Sequence, residues 1–204
     1  MVKVKICGIT NLEDALACFF YRADAVGFVF YKKSPRCISL SKARQISRIL
    51  PNRMLKVGVF VDEGEKRIKK VACACGLNML QFHGEESPAF CRRFKEYKII
   101  KAFKVNDEFD FSSLKNYASV YAFLFDSYSR SKKGGTGKNF DWNLFKCRAK
   151  IKKPIFLSGG LSFKNVQAAL RIIKPDWVDV SSSIETSPGK KSHRKILRFI
   201  KEIK

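Results

Sequence analysis

The sequence predicts an α/β fold, one closed (β/α)8 barrel of the TIM-barrel type spanning residues 1–204. Three observations carry this: eight short apolar runs, helical patterns between most of them, and candidate polar groups after nearly every run. The runs are β-branched or aromatic and fall at residues 2–6, 25–30, 55–60, 78–82, 98–103, 120–125, 154–157 and 177–180. Strands alternating with helices imply a parallel sheet whose faces the helices cover. Eight such units suit a closed barrel, and 204 residues lie near the lower limit of about 200 for that fold. An open doubly wound sheet is the competing arrangement, but Cys7-Gly8-Ile9-Thr10 lacks the G-x-G-x-x-G pattern that would favour it.

In chain order, Val2, Val4 and Ile6 alternate as the first strand. Asn11 is then placed to cap a helix on which Leu12, Ala15, Leu16, Phe19 and Phe20 recur at helical spacing. Cys73 and Cys75 lie in a further helical pattern, where residues two apart point to different sides. The segment 104–119 has the weakest helix pattern of the chain. Asp107, Asp110 and Ser112-Ser113 mark it as mostly loop, so the helix between strands five and six is weak or missing. Phe163, Val166, Leu170 and Ile173 follow Ser162 as a helix, and Leu197, Phe199 and Ile200 lie on a last helix after Ser192.

Composition narrows the function classes. With 46% hydrophobic residues and no Pro/Gly/Ser-rich linker, the chain can bury one sizeable core. No signal-peptide pattern or run of about 18 apolar residues is present, so a soluble, unexported protein without membrane contact is expected. Seven scattered cysteines fit a reducing compartment, the cytoplasm, better than a disulfide scaffold. The spacing of known zinc motifs is absent, and no metal is expected at Cys73 and Cys75. The formal charge of +23 would attract any polyanion. No nucleic-acid-binding signature accompanies it, however, and the pairs Lys69-Lys70, Lys132-Lys133, Lys152-Lys153 and Lys190-Lys191 are spread along the chain as solvated faces are. No specific nucleic-acid partner is expected; part of the potential can steer an anionic substrate.

In a barrel of this class the active site lies at the carboxyl ends of the strands. Those ends carry Cys7, Ser34-Pro35-Arg36, Asp62, His83-Gly84, Asp126, Ser158-Gly159-Gly160 and Ser181-Ser182-Ser183, with Gly134-Gly135-Thr136-Gly137-Lys138 following Asp126. Three small-residue loops in the last third predict a phosphate cradle, because glycines let backbone N–H groups approach an anion. Lys138 does not make a P-loop: the spacing is wrong and Asn139 follows it, so no nucleotide is implied.

These residues resemble the phosphoribosylanthranilate isomerase family of tryptophan biosynthesis. The likeness is carried by Lys5-Ile6-Cys7-Gly8-Ile9-Thr10, Gly27-Phe28-Val29-Phe30 through Ser34-Pro35-Arg36, Val57-Gly58-Val59-Phe60-Val61 and Leu80-Gln81-Phe82-His83-Gly84. It continues in Phe125-Asp126-Ser127 with Gly134-Gly135-Thr136-Gly137, Ser158-Gly159-Gly160-Leu161 and Val178-Asp179-Val180-Ser181-Ser182, and so covers essentially the whole chain.

The resemblance implies a barrel isomerase that performs an Amadori rearrangement by general acid/base catalysis, without cofactor or metal. Asp126 resembles the family's general acid and Cys7 its general base. Asp126 would need partial protonation, which a dry pocket favours, and Cys7 a thiolate, which a basic neighbourhood favours. Arg36 resembles the ligand of the anthranilate carboxylate, a role its planar fork suits. Gln81 and His83 are expected to shape the pocket, and Gly135, Gly137, Gly159, Gly160, Ser182 and Ser183 to hold the phosphorylated substrate. The chain is expected to act as a monomer or homodimer.

A nearer rival is another phosphosugar aminoaldose isomerase barrel, such as that of histidine synthesis. That family uses paired aspartates, and Cys7 argues against it. The family pattern Ser-Ser-Gly-Val-Glu reads Ser181-Ser182-Ser183-Ile184-Glu185 here, and Ser192 stands where an aspartate is common. Negative φ at Ser183 is expected, with its hydroxyl donating to a phosphate oxygen.

Overall fold

Eight parallel strands close on themselves in chain order. The computed structural model describes residues 1–106, 108–127 and 151–204. Their elements run β1 (Lys3–Cys7), α1 (Leu12–Phe20), β2 (Ala25–Val29), α2 (Leu40–Ile49), β3 (Leu55–Phe60), α3 (Glu65–Cys75), β4 (Met79–Phe82), α4 (Pro88–Cys91) and β5 (Lys98–Val105). After these come β6 (Ala122–Ser127), β7 (Ile155–Ser158), α5 (Val166–Ile173), β8 (Trp177–Val180), a small ribbon of β9 (Glu185–Ser187) and β10 (Lys190–Lys191), and α6 (His193–Lys201). No helix among the described residues is long and apolar enough to cross a membrane.

Local chemistry sets the helix starts. Asn11 Oδ1 accepts from Asp14 N at 2.8 Å and caps as expected, and Ser192, ahead of the last helix, also caps, its Oγ accepting from Lys195 N. Between β5 and β6 the described residues form a 3-10 run, Phe111–Tyr117, and no α-helix. Asp110 ties Ser112 N at 2.8 Å and Ser112 Oγ at 2.6 Å, local bonds that favour a tight turn over an α-helix. The helix expected directly after Ser162 instead begins at Val166. Asn165 accepts from Ser162 N at 2.8 Å and donates to Gly160 O at 3.0 Å, which holds residues 162–165 as a turn.

Alternate strand residues point into the barrel. Ala25, Val57, Met79, Ile100, Ala122, Leu124, Phe156 and Trp177 fill it, with Phe156 and Trp177 stacked at 4.8 Å. The outward residues, among them Ile6, Phe28, Phe82 and Phe125, meet Ile46, Ile68, Ile196 and Phe199 in the layer under the helices. Each such fully buried side chain contributes roughly 1.5–3 kcal/mol. Closure comes from β1, which pairs β2 with Cys7 opposite Gly27 and β8 with Lys5 opposite Asp179. One end of this wall therefore carries charged and reactive side chains where apolar ones fill the rest.

Candidate active site

Cys7 ends β1 half-buried, and Lys5 sits below it on the same inward face, fully buried. Lys5 Nζ is 2.9 Å from Asp179 Oδ2. Burial alone would lower the Lys5 ammonium, but Asp179 and Cys7 outweigh it and hold Lys5 above the usual lysine value. At Cys7 burial has the largest effect and pushes the thiol up; Lys5 opposes it, Asp179 adds to it, and Lys191 opposes it again. The basic neighbourhood expected around Cys7 is present, yet burial outweighs it and the thiol stands above its ordinary value.

Arg36 reaches the same mouth from the loop between β2 and α2. Gly8 makes room for it: with φ at 78°, a Cβ on residue 8 would stand 2.7 Å from Arg36 Cδ. Arg36 Nε and Nη2 donate to Glu185 Oε1 and Oε2 at 2.9 and 2.7 Å, a bidentate clamp. Glu185 also accepts from Lys191 Nζ at 2.8 Å. Burial would raise the Glu185 carboxyl, but Arg36 and Lys191 together hold it below the ordinary glutamate value. Lys191 Nζ donates to Ser181 O, and Ser181 Oγ donates to Cys7 O at 3.0 Å, so the network leads back to the β1 end. The clamp uses Nε and Nη2; among the described residues no hydrogen bond engages Nη1, on the other edge of the guanidinium.

Across the mouth, Gln81 Nε2 lies 2.8 Å from His83 Nδ1, and His83 Nε2 lies 3.3 Å from Asp126 Oδ2. If Gln81 donates to Nδ1, the ring proton sits on Nε2 and faces Asp126. Asp126 is not in the dry pocket expected of it: its side chain is 33% exposed, because β6 carries it to the rim opposite Lys104. Behind His83, the buried Lys101 ammonium donates to Glu86 Oε2 at 2.9 Å and to Gly84 O. Glu86 accepts from Gly84 N and Asp62 N, which fixes the loop after β4.

At the ends of β7 and β8, Gly159 and Gly160 take φ values of 86° and 63° and Ser182 begins a one-turn 3-10 helix. Ser183 lies in that turn outside the positive-φ region, as expected. Its hydroxyl donates within the protein, to Leu161 O at 2.5 Å, and ties the two loops together. Gly135 and Gly137, with Lys138, lie outside the described residues.

The barrel thus gathers Cys7, Arg36, Gln81, His83, Asp126, Gly159, Gly160, Ser182 and Ser183 at one end. Sequence reasoning missed partners that hold them: Lys5, Asp179, Glu185 and Lys191. Lys190-Lys191 has the pattern of a solvated pair, but Lys191 is buried and, of the two, Lys190 alone is exposed. The available signal was a lysine and an aspartate at inward positions of otherwise apolar strands.

Comparisons with known proteins agree with this arrangement. The family model described as N-(5'phosphoribosyl)anthranilate (PRA) isomerase matches residues 4–202. The chain is 47% identical to N-(5'-phosphoribosyl)anthranilate isomerase of Pelobacter propionicus, over 98% of this chain and 95% of that protein. Its fold is similar to the crystal structure of phosphoribosyl anthranilate isomerase from Thermotoga maritima, with a TM-score of 0.92 and 47% identity, covering 99% of this chain and 98% of that one. A phosphoribosyl anthranilate isomerase in complex with reduced 1-(o-carboxyphenylamino)-1-deoxyribulose 5-phosphate is likewise similar, with a TM-score of 0.89 and 45% identity, covering 99% and 98% of the two chains. A profile match over nearly the full length, joined to a barrel that brings the motif residues to one mouth, places this chain in the phosphoribosylanthranilate isomerase family.

Proposed function

We propose that the chain isomerises N-(5'-phosphoribosyl)anthranilate to 1-(2-carboxyphenylamino)-1-deoxyribulose 5-phosphate, the Amadori step of tryptophan biosynthesis, with Asp126 as general acid and Cys7 as general base. The observation that carries this reading is topological. Cys7 ends β1 and Asp126 lies one residue before the end of β6, and the two strands between them, β7 and β8, end in the glycine and serine loops suited to a phosphate. A phosphosugar anchored there lies between an acid and a base.

The chemistry needs both. A protonated Asp126 gives its proton to the furanose ring oxygen; the C1'–O bond breaks and the nitrogen lone pair forms the C1'=N bond of a Schiff base. Cys7 as thiolate removes the C2' proton, and that electron pair forms the C1'=C2' bond of an enolamine as the C1'=N pair returns to nitrogen. Loss of the C2' hydroxyl proton and gain of one at C1' give the ketone. Substrate covering the mouth would shield Asp126 from water, and the Nη1/Nη2 edge of Arg36 would hold the anthranilate carboxylate. Two buried acceptors, Asp179 Oδ1 and Gln81 Oε1, have no protein donor among the described residues and suit the sugar hydroxyls.

The test is to generate the unstable substrate in place and follow loss of its fluorescence with purified protein. Protein-dependent loss is expected. No loss above the spontaneous rate would reject the reading.

A further inference from the structure

We propose that Lys5 is a positioning residue for Cys7: held by Asp179 inside the barrel and brought against Cys7 over Gly27, its ammonium stabilises the Cys7 thiolate. The inference rests on the reading of Cys7 as the base and goes beyond it by naming the group that makes the thiolate attainable.

The placement begins with strand alternation. Lys3, Lys5 and Cys7 share the inward face of β1, and Lys5 is 0% exposed, among the largest fully buried side chains of the described residues. A buried ion pair is poor evidence for stability, since an apolar pair of similar size often serves as well. Retaining one inside a barrel filled mostly by apolar side chains calls for another use. Gly27, opposite Cys7 in the β1–β2 register, shows what that use is. A Cβ there would stand 2.8 Å from Cys7 Sγ and 3.3 Å from Lys5 Cε. The thiol and the lysine arm therefore occupy the space that any larger residue would fill, and they meet because it is a glycine.

The surrounding charges point the same way. Lys5 from β1, Asp179 from β8, Lys191 from β10 and Arg36 from the loop after β2 all act on Cys7 or respond to it. Arg36 and Lys191 share the Glu185 carboxylate, and Lys5 has Asp179. Three cations against two carboxylates leave one positive charge, which a thiolate neutralises. His83 and Asp126 act on Asp179 from the far side of the mouth. Of the cations, Lys5 has the largest effect on the thiol.

The test reads the thiolate itself. Its ultraviolet absorbance is titrated as the difference between the parent and Cys7→Ala, and the same titration is repeated in Lys5→Met, Lys5→Arg and Gly27→Ala. Lys5→Met should raise the midpoint by about 1–2 pH units, and the acid limb of kcat/KM should move with it. Lys5→Arg should restore part of the shift. Gly27→Ala keeps every charge but drives Sγ and the lysine arm apart, so it should also raise the midpoint; it decides the matter if Lys5→Met fails to fold. An unchanged midpoint in folded Lys5→Met or, failing that, in Gly27→Ala overturns the proposal, as does lost activity without a shift. Full activity in Cys7→Ala would instead reject the proposed base, whatever the titration shows.

Discussion

Glu185→Gln isolates the clamp that aims Arg36. Glutamine keeps the shape, leaves one acceptor oxygen and turns an amide NH2 toward Arg36 or Lys191, both donors. The carboxylate now accepts from Arg36 at 2.9 and 2.7 Å and from Lys191 at 2.8 Å, so at least one charge-assisted bond is lost and those that remain keep a charged donor but lose the anionic acceptor. Such bonds contribute about 1.5–3 kcal/mol each, and breaking a fully buried pair costs about 3–5 kcal/mol. The Arg36 side chain is 23% exposed and can recover some hydration, whereas that of Lys191 is 0% exposed. We therefore expect a loss of about 2–4 kcal/mol. For a chain of this size that lowers Tm by roughly 4–16 °C. Thermal denaturation followed by circular dichroism measures it. Steady-state kinetics on the same preparation should show KM raised more than kcat is lowered, because Arg36 loses its aim while Cys7 and Asp126 stay in place. A variant with the parent's Tm and KM would refute the clamp.

Other outcomes follow from the same contacts. Because Arg36 and Lys191 hold Glu185 below its ordinary value, its contribution is fully present above about pH 4.3 and is lost as pH falls through the lowered value. The Tm gap between parent and Glu185→Gln should narrow only below about pH 4; a gap that closes between pH 7 and 5 would contradict this. Arg36→Met should lower kcat/KM by about 2–5 kcal/mol of transition-state binding, and equal values would leave Arg36 only the task of fastening Glu185. Ser183→Gly removes the bond to Leu161 O, so stability should fall by about 0.5–1.5 kcal/mol, with KM raised a few-fold and kcat little changed. Tighter substrate binding in that variant would show that the tie strains the loop.

The barrel was legible because its periodicities are simple. Residues 55–60 and 177–180 are strands with the expected bounds, and in the segment of weak pattern the described residues after β5 hold a 3-10 run and no α-helix. The helix starts later than Ser162 because the Asn165 side chain accepts from Ser162 N and donates to Gly160 O, bonds that hold residues 162–165 as a turn before Val166. Arg36, Cys7, His83 and Asp126 could be named from their places after strands. Which groups pair could not, since Lys5 meets Asp179 and Arg36 meets Glu185 only when the barrel closes, 174 and 149 residues apart in sequence. Charge alone also misleads. Lys191 looked like solvent-facing sequence, yet it is buried in the network behind Cys7, while Asp126, expected to be dry, stands at the rim.

The assignment of one proton transfer each to Cys7 and Asp126 is tested most directly by kcat for Cys7→Ala and Asp126→Asn in the fluorescence assay, with folding checked by circular dichroism. The account predicts that each folded variant falls about 10²–10⁴-fold below the parent. A folded variant whose kcat stays within a few-fold of the parent's would contradict it for that residue.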